Sequence, residues 1–304
     1  MELHTCLWSD VAAFDFASDD FHALQQAFPS LNLVVHDNAD SFLAAAASVA
    51  WLLTWEFPEA WYASCPNLQT IMTPASGRDW IAADPSSQVE VVHGTFHGPM
   101  MAESALSALL YMNHQMPLML QNHADRAWDR NLQQNSRLLG NQCVVIVGFG
   151  RIGQAFGQLI GTTGAEVIGV RRSNPGELDG MQVRTVSDLP EVLPSADHVI
   201  LVLPGDNSTD HFLTPELIRL CKPGVYLYNF GRGNALTTDT VLEVACDIGG
   251  AFLDVTDVEP LPSDSQLWQL PNVMITPHSS CIYQEYKANF VAEVIRHLQS
   301  ETRS

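Results

Sequence analysis

Three sets of residues in this 304-residue chain have types and spacings suited to chemistry. The first is Gly148-Phe149-Gly150-Arg151-Ile152-Gly153, a G-x-G-x-x-G run. It follows the continuous apolar stretch Cys143–Val147 and opens an amphipathic stretch reaching about Thr163. That is the strand–turn–helix setting in which this spacing binds a dinucleotide. Gly148 would allow the tight turn, Gly150 the approach of main chain to a pyrophosphate, and Gly153 the packing of helix on strand. The helix start offers unpaired N–H groups to phosphate. A plain strand–turn–helix with glycine at its tight points is the alternative. The second set, Arg171-Arg172-Ser173, ends the next strand, where a binder of the unphosphorylated dinucleotide places an acid for the ribose 2′-hydroxyl. No carboxylate appears until Glu177. Two guanidiniums and a hydroxyl suit a 2′-phosphate, favouring NADPH over NADH. A solvated arginine pair is the other reading. The third set is Arg232, Glu259 and His278, each just past a predicted strand, where crevices open in parallel sheets. An arginine, a carboxylate and a histidine could converge there beside a cofactor.

The elements that must position these residues follow from pattern. Leu31–Val35, Leu68–Met72 and Val89–Val92 read as short strands, Asp40 to Leu53 as a buried helix, and Pro99 to Met116 as a long helix ended by Pro117. From Cys143 onward strands alternate with helices: strands Cys143–Val147, Glu166–Val170, His198–Leu203, Tyr226–Asn229, Gly250–Val255 and Val273–Thr276, with helices after Gly150, at Thr214–Leu220 and at Thr238–Cys246. A last helix spans Tyr283–Ser300. Such alternation implies parallel sheets with right-handed crossovers. The expected fold is α/β, with two Rossmann-like or flavodoxin-like domains and a cleft between them. Residues 1–93 with 278–304 would form one domain, and 94–277 the dinucleotide-binding one.

Composition excludes several classes. With 14 Lys and Arg against 34 Asp and Glu, the net charge is −20, which argues against nucleic acid and against an anionic membrane surface. Six scattered cysteines without C-x-x-C spacing, and no cationic leader pattern, suggest a reducing cytoplasm. His93 and His97 have an H-x-x-x-H spacing, but Gly94, Gly98 and Pro99 interrupt it and no third ligand is near, so no metal is expected. Cys281 lies close to His278, yet a small buried residue explains it better than a nucleophile does.

The ordered set His93-Gly94, Pro99–Glu103, the glycine run, Leu203-Pro204, Lys222-Pro223-Gly224, the Arg232 segment, Asp254–Leu261 and Pro271-Asn272-Val273 into Thr276-Pro277-His278 resembles the D-isomer-specific 2-hydroxyacid dehydrogenase family. The resemblance implies reduction of a 2-oxo acid to a D-2-hydroxy acid, of the glyoxylate/hydroxypyruvate or a broader type, with NADP preferred and NAD possible. It makes His278 the general acid, Glu259 the group that orients its imidazole, and Arg232 the binder of the substrate carboxylate. It adds substrate contacts at the N–H groups of Ser76 and Gly77; Arg78 stands where the family commonly has a small or apolar residue, and is a second anchor for an acidic substrate or a solvent-facing residue. Cofactor contacts would lie at Gly148, Gly150, Arg151, Ile152, Gly153, Arg171, Arg172, Ser173, Leu203, Pro204, Phe230, Gly231, Asp254 and Ser280. Asp254 would hold the nicotinamide carboxamide or cap a loop. The family implies a homodimer through the helix Pro99–Met116. Gly205, Phe230, Gly231 and Ser279-Ser280-Cys281 depart from the family pattern near the pocket. Glutamate at 259 separates the chain from formate dehydrogenases, which carry glutamine in that role. A non-catalytic dinucleotide-sensing protein, such as a corepressor on this fold, is the alternative function.

Overall fold

The structure, a computed structural model, describes residues 2–131 and 136–301. Its contacts divide the chain into two units, one of residues up to His97 and from Ile282 onward, the other Gly98–Cys281. In the first unit, β1 (Glu2–Cys6), β2 (Asn32–Val35), β3 (Trp51–Thr54), β4 (Thr70–Thr73) and β5 (Glu90–His93) form a parallel sheet in the order β2-β1-β3-β4-β5. This is a doubly wound, flavodoxin-like order. One side is packed by Phe42, Val49, Leu52, Phe57 and Ile71. The C-terminal helix Tyr286–Glu301 buries Phe290, Val291, Val294 and Leu298. Its Lys287 ammonium lies 3.0 Å from Asp20.

The second unit holds an eight-stranded sheet: β6 (Cys143–Val147), β7 (Glu166–Arg171), β8 (Gly176–Leu178), β9 (Met181–Thr185), β10 (His198–Leu201), β11 (Tyr226–Asn229), β12 (Gly250–Leu253) and β13 (Val273–Ile275). The order is β13-β12-β11-β10-β6-β7-β9-β8, parallel except for the β8–β9 hairpin. All five residues of β6 are buried, as the unbroken apolar run requires of a strand covered on both faces. Strand order reverses between β6 and β10, the switch point at which such sheets bind ligands.

Three expectations need correction. The predicted helix Asp40–Leu53 is a helix at Ala39–Ala45 and a short 3₁₀ turn, followed by β3. Its cap is Asn38, whose Oδ1 accepts the Ser41 N–H at 2.9 Å. Leu52 and Leu53 are fully buried in a central strand, and an apolar run that short lacks the period that would separate strand from helix. The long helix runs from His97 to Asn113 and is followed by a second helix, Met116–Ala124. Gln115, at φ 57°, breaks the two, and Pro117 falls in the first turn of the second, where its missing N–H costs nothing. The β8–β9 hairpin, which no expectation covered, is closed by Asp179-Gly180, both at positive φ, a strong hairpin turn signal. Finally, the units meet four residues beyond each expected boundary, at 97/98 and 281/282. Gly94 N–H bonds Ala75 C=O and His97 Nε2 meets the Tyr286 hydroxyl, which keeps 94–97 with the first sheet. Residues 278–280 stay with the second because their N–H groups bond Asp254.

Candidate active site

The glycine run behaves as its spacing demands. Gly148 sits at φ 97°, and a Cβ there would fall 2.3 Å from the Val202 carbonyl oxygen. A Cβ on Gly153 would fall 2.5 Å from the Gly148 oxygen, so only glycine lets the helix Arg151–Gly161 press on the turn. At Gly150 a Cβ would meet no atom within 4 Å. Packing therefore gives no reason for glycine at 150, whereas close approach of a ligand to the main chain does. The helix has no side-chain cap at its start, which leaves the N–H groups of Arg151, Ile152 and Gly153 for an anion. These residues fit a bound dinucleotide phosphate.

At the end of β7, Arg171 turns back on its own bend, with Nε and Nη2 donating to Asn174 C=O at 3.1 and 2.6 Å. Arg172 reaches the loop after β10, where it donates to Ser208 Oγ and lies 3.6 Å from Asp206. Ser208 Oγ and N–H both donate to Asp206. Ser173 is exposed beside them. Arg171 is half-buried and Arg172 exposed, and both are held in place, so a phosphate there would meet oriented donors.

The third set lies on neighbouring strands. Asn229, Leu253 and Ile275 stand in register at the ends of β11, β12 and β13, and Arg232, Glu259 and His278 come from the segments that follow. Each segment is stapled by its own side chains. Asn229, fully buried, donates from Nδ2 to Arg232 C=O at 3.0 Å and accepts the Gly231 N–H at 3.1 Å. Asp254 is 2% exposed. One oxygen takes Thr276 Oγ1 (2.7 Å) and Ser279 N–H (2.8 Å), and the other takes Ser280 N–H (3.0 Å). The loop-capping role of Asp254 is therefore realised. The bend it holds places His278 at φ 50°, a region few residues other than glycine adopt and one that marks functional sites.

His278 Nδ1 lies 2.9 Å from Glu259 Oε2. A carboxylate only accepts, so Nδ1 carries the proton and Nε2 is left for a ligand. Burial pushes the Glu259 carboxyl up, but the bond and charge of His278, the Thr256 N–H at 3.1 Å and the Arg232 charge outweigh it and hold the group below its ordinary value. Burial pushes the Cys281 thiol up to about 11, so it is no thiolate at neutral pH.

Two departures from the family pattern share one cause. A Cβ on Gly231 would fall 2.4 Å from the Leu203 carbonyl oxygen, and one on Gly205 would fall 2.9 Å from Arg232 Cγ. The loop Leu203-Pro204-Gly205 thus lies directly against Gly231 and the Arg232 stem. The Phe230 ring is buried against Phe156 and Phe252, so only its main chain can meet a cofactor. Ser280 is likewise buried, its carbonyl taken by Ser104 Oγ at 2.8 Å. In the first unit, Ser76 and Arg78 are exposed and Gly77 half-exposed on the loop after β4. The positioning roles of Asn229 and Thr256 escape sequence reasoning, because a buried amide or hydroxyl carries no spacing signal.

The model of the D-isomer specific 2-hydroxyacid dehydrogenase NAD-binding domain matches residues 106–280, more than half of the chain. The chain belongs to this family. Among relatives of the D-2-hydroxyacid dehydrogenases, a D-3-phosphoglycerate dehydrogenase of Mycobacterium bovis is 31% identical over 247 residues, 77% of this chain and 46% of the relative. A glyoxylate reductase of Thermococcus onnurineus is 34% identical over 135 residues, 44% of this chain and 40% of the relative. Both matches thus span less than half of the relative's own length. A solved D-isomer specific 2-hydroxyacid dehydrogenase from Xanthobacter autotrophicus, in complex with NADPH and MES, superposes with TM-score 0.81 at 26% identity, covering 99% of this chain and 95% of that one. An NADPH-dependent glyoxylate/hydroxypyruvate reductase from Sinorhizobium meliloti, 21% identical, shares the fold with TM-score 0.84 over 99% and 95% of the two chains. Among the described residues no helix is long and apolar enough to cross a membrane, and no group of three His, Cys, Asp or Glu is placed to hold a metal.

Proposed function

We propose that the chain reduces a 2-oxo acid to a D-2-hydroxy acid, with NADPH as the preferred hydride donor. The observation that carries this reading is the Glu259–His278 pair at 2.9 Å, with the Arg232 charge acting on the same carboxylate. When bound, the reduced nicotinamide supplies hydride to C2 of the substrate. His278 Nε2 gives its proton to the carbonyl oxygen as negative charge develops there. Glu259 accepts from Nδ1, which fixes the ring and stabilises the charged imidazole before transfer. Arg232 holds the substrate carboxylate in a planar fork and polarises the carbonyl. In the first unit the N–H groups of Ser76 and Gly77 supply further carboxylate donors. Asp254 has lone pairs to spare beyond its three bonds and is assigned the nicotinamide carboxamide. The reading is tested by following loss of reduced cofactor with glyoxylate, hydroxypyruvate and phenylpyruvate. No turnover with any 2-oxo acid would end it.

Cofactor preference rests on Arg171, Arg172 and Ser173. Each charge-assisted bond to a 2′-phosphate contributes about 1.5–3 kcal/mol. Replacing both arginines by alanine should therefore cost about a hundredfold in kcat/KM with NADPH and little with NADH. A wild type that prefers NADH would overturn the assignment.

Leu118, Leu120, Trp128 and Leu138 are 44%, 51%, 88% and 73% exposed, an apolar set on or after the helices His97–Asn113 and Met116–Ala124. We assign these exposed side chains to a homodimer contact. Trp128→Asp should shift sedimentation towards the monomer, and an unchanged sedimentation coefficient would exclude Trp128 from any such contact.

A further inference from the structure

Arg78 is the only lysine or arginine among the first 97 residues, which carry 12 aspartates and glutamates. Its guanidinium has these carboxylates within its own unit, yet it is exposed and makes no ion pair or hydrogen bond among the described residues. It stands on the loop after β4, at the C-terminal edge of a parallel sheet, where such folds open ligand crevices.

That loop presents donors. Ala75 C=O accepts the Gly94 N–H at 3.1 Å. A trans peptide is planar, so the Ser76 N–H on the same plane points the opposite way. The N–H groups of Ser76, Gly77 and Arg78 donate to no atom of the described residues. Beside them His93 ends β5, in register with Thr73. Its Nδ1 is shielded from solvent and has no bonded partner. Burial, and next the Arg78 charge, hold the His93 imidazole below its ordinary pKa, against the pull of the Ala75 and Gly77 main chain and the Asp79 charge.

Three main-chain donors in a row suffice for one carboxylate. The long cationic side chain of the third, Arg78, with no ion pair or hydrogen bond among the described residues, offers a second planar fork a short carbon chain away. We propose that Arg78 recognises a second carboxylate, so that the preferred substrates are dicarboxylic 2-oxo acids. The proposal rests on the reductase reading for its reaction, but its anion site stands on the loop alone.

The test compares kcat/KM for oxaloacetate and 2-oxoglutarate with that for 2-oxobutanoate and 2-oxopentanoate, matched chains that end in methyl. Wild type, Arg78→Met and Arg78→Lys are measured, and 2-oxoglutarate binding is followed separately by calorimetry on the protein loaded with oxidised cofactor. The wild type is expected to favour the dianions by about 10- to 100-fold. Arg78→Met brings that ratio close to one, and Arg78→Lys keeps part of it. A ratio unmoved by Arg78→Met, with the panel still reduced, overturns the proposal and leaves the reductase reading standing. Loss of 2-oxoglutarate binding in Arg78→Met, with no 2-oxo acid reduced by any form, has the opposite meaning: the anion site stands and the reductase reading fails. Binding and turnover both indifferent to Arg78 overturn the site.

Discussion

His278→Ala is expected to lower kcat/KM for 2-oxo acid reduction by about 10²–10⁴, the usual worth of a positioned general acid. Cofactor binding, followed by the fluorescence of the reduced nicotinamide, should survive, because the glycine turn and both arginines lie on other loops. The 2.9 Å bond to Glu259 makes the loss larger than that of one proton donor removed from an exposed site. The carboxylate fixes the ring and its tautomer, leaving Nε2 to face the substrate. Glu259→Gln keeps a hydrogen-bonding group in place but removes the charge, so it should fall between wild type and His278→Ala. The direction of the Glu259 shift matters here. Its carboxyl is held below the ordinary value, so it stays ionised to lower pH than a free glutamate, and activity should not fall on its account until the pH drops beneath the usual carboxyl range, near 4.3. A His278→Ala enzyme with wild-type kcat/KM would remove the imidazole from the reaction. A wild type that binds the dinucleotide but reduces nothing would favour a sensing role.

Arg232→Lys is the second large effect. Lysine keeps the charge and loses the fork, and the stem of Arg232 is fitted against Gly205, where a Cβ would approach to 2.9 Å. The expected loss is about 10²–10³ in kcat/KM, the scale for removing one oriented donor from a developing oxyanion. Both KM and kcat should worsen, since the carboxylate is held in the ground state and the carbonyl is polarised in the transition state. An unchanged KM with reduced kcat would confine Arg232 to the carbonyl, and no change in either would exclude it from the site.

Much of this was legible beforehand, for physical reasons. The glycine run, the strand ends and the arginine pair are local signals, written in the spacing of a few adjacent residues. Arg232, Glu259 and His278 are separated in sequence but fall after neighbouring parallel strands, and the rule that crevices open at such ends needs only the strand order. Other features were hidden. Trp51–Leu53 reads as the end of a helix because a buried central strand is an unbroken apolar run. The break between the two helices at Gln115 depends on one residue at positive φ that nothing adjacent announces. Asp254 offered two roles. Only the folded chain shows its two oxygens gathering residues 276, 279 and 280 into the bend that carries His278. Gly205 and Gly231 looked like departures without cause until the close approach of their two loops gave them one.

The first unit is assembled from chain segments that lie on either side of the second. During synthesis Gly98–Cys281 is translated before Tyr286, Phe290 and Val294. The aromatic face of Phe16, which meets Phe290 with ring centroids 5.6 Å apart, stays uncovered through that interval. A released chain truncated after Cys281 should therefore contain a folded second unit and a protease-sensitive beginning, which limited proteolysis of the truncated protein can read directly.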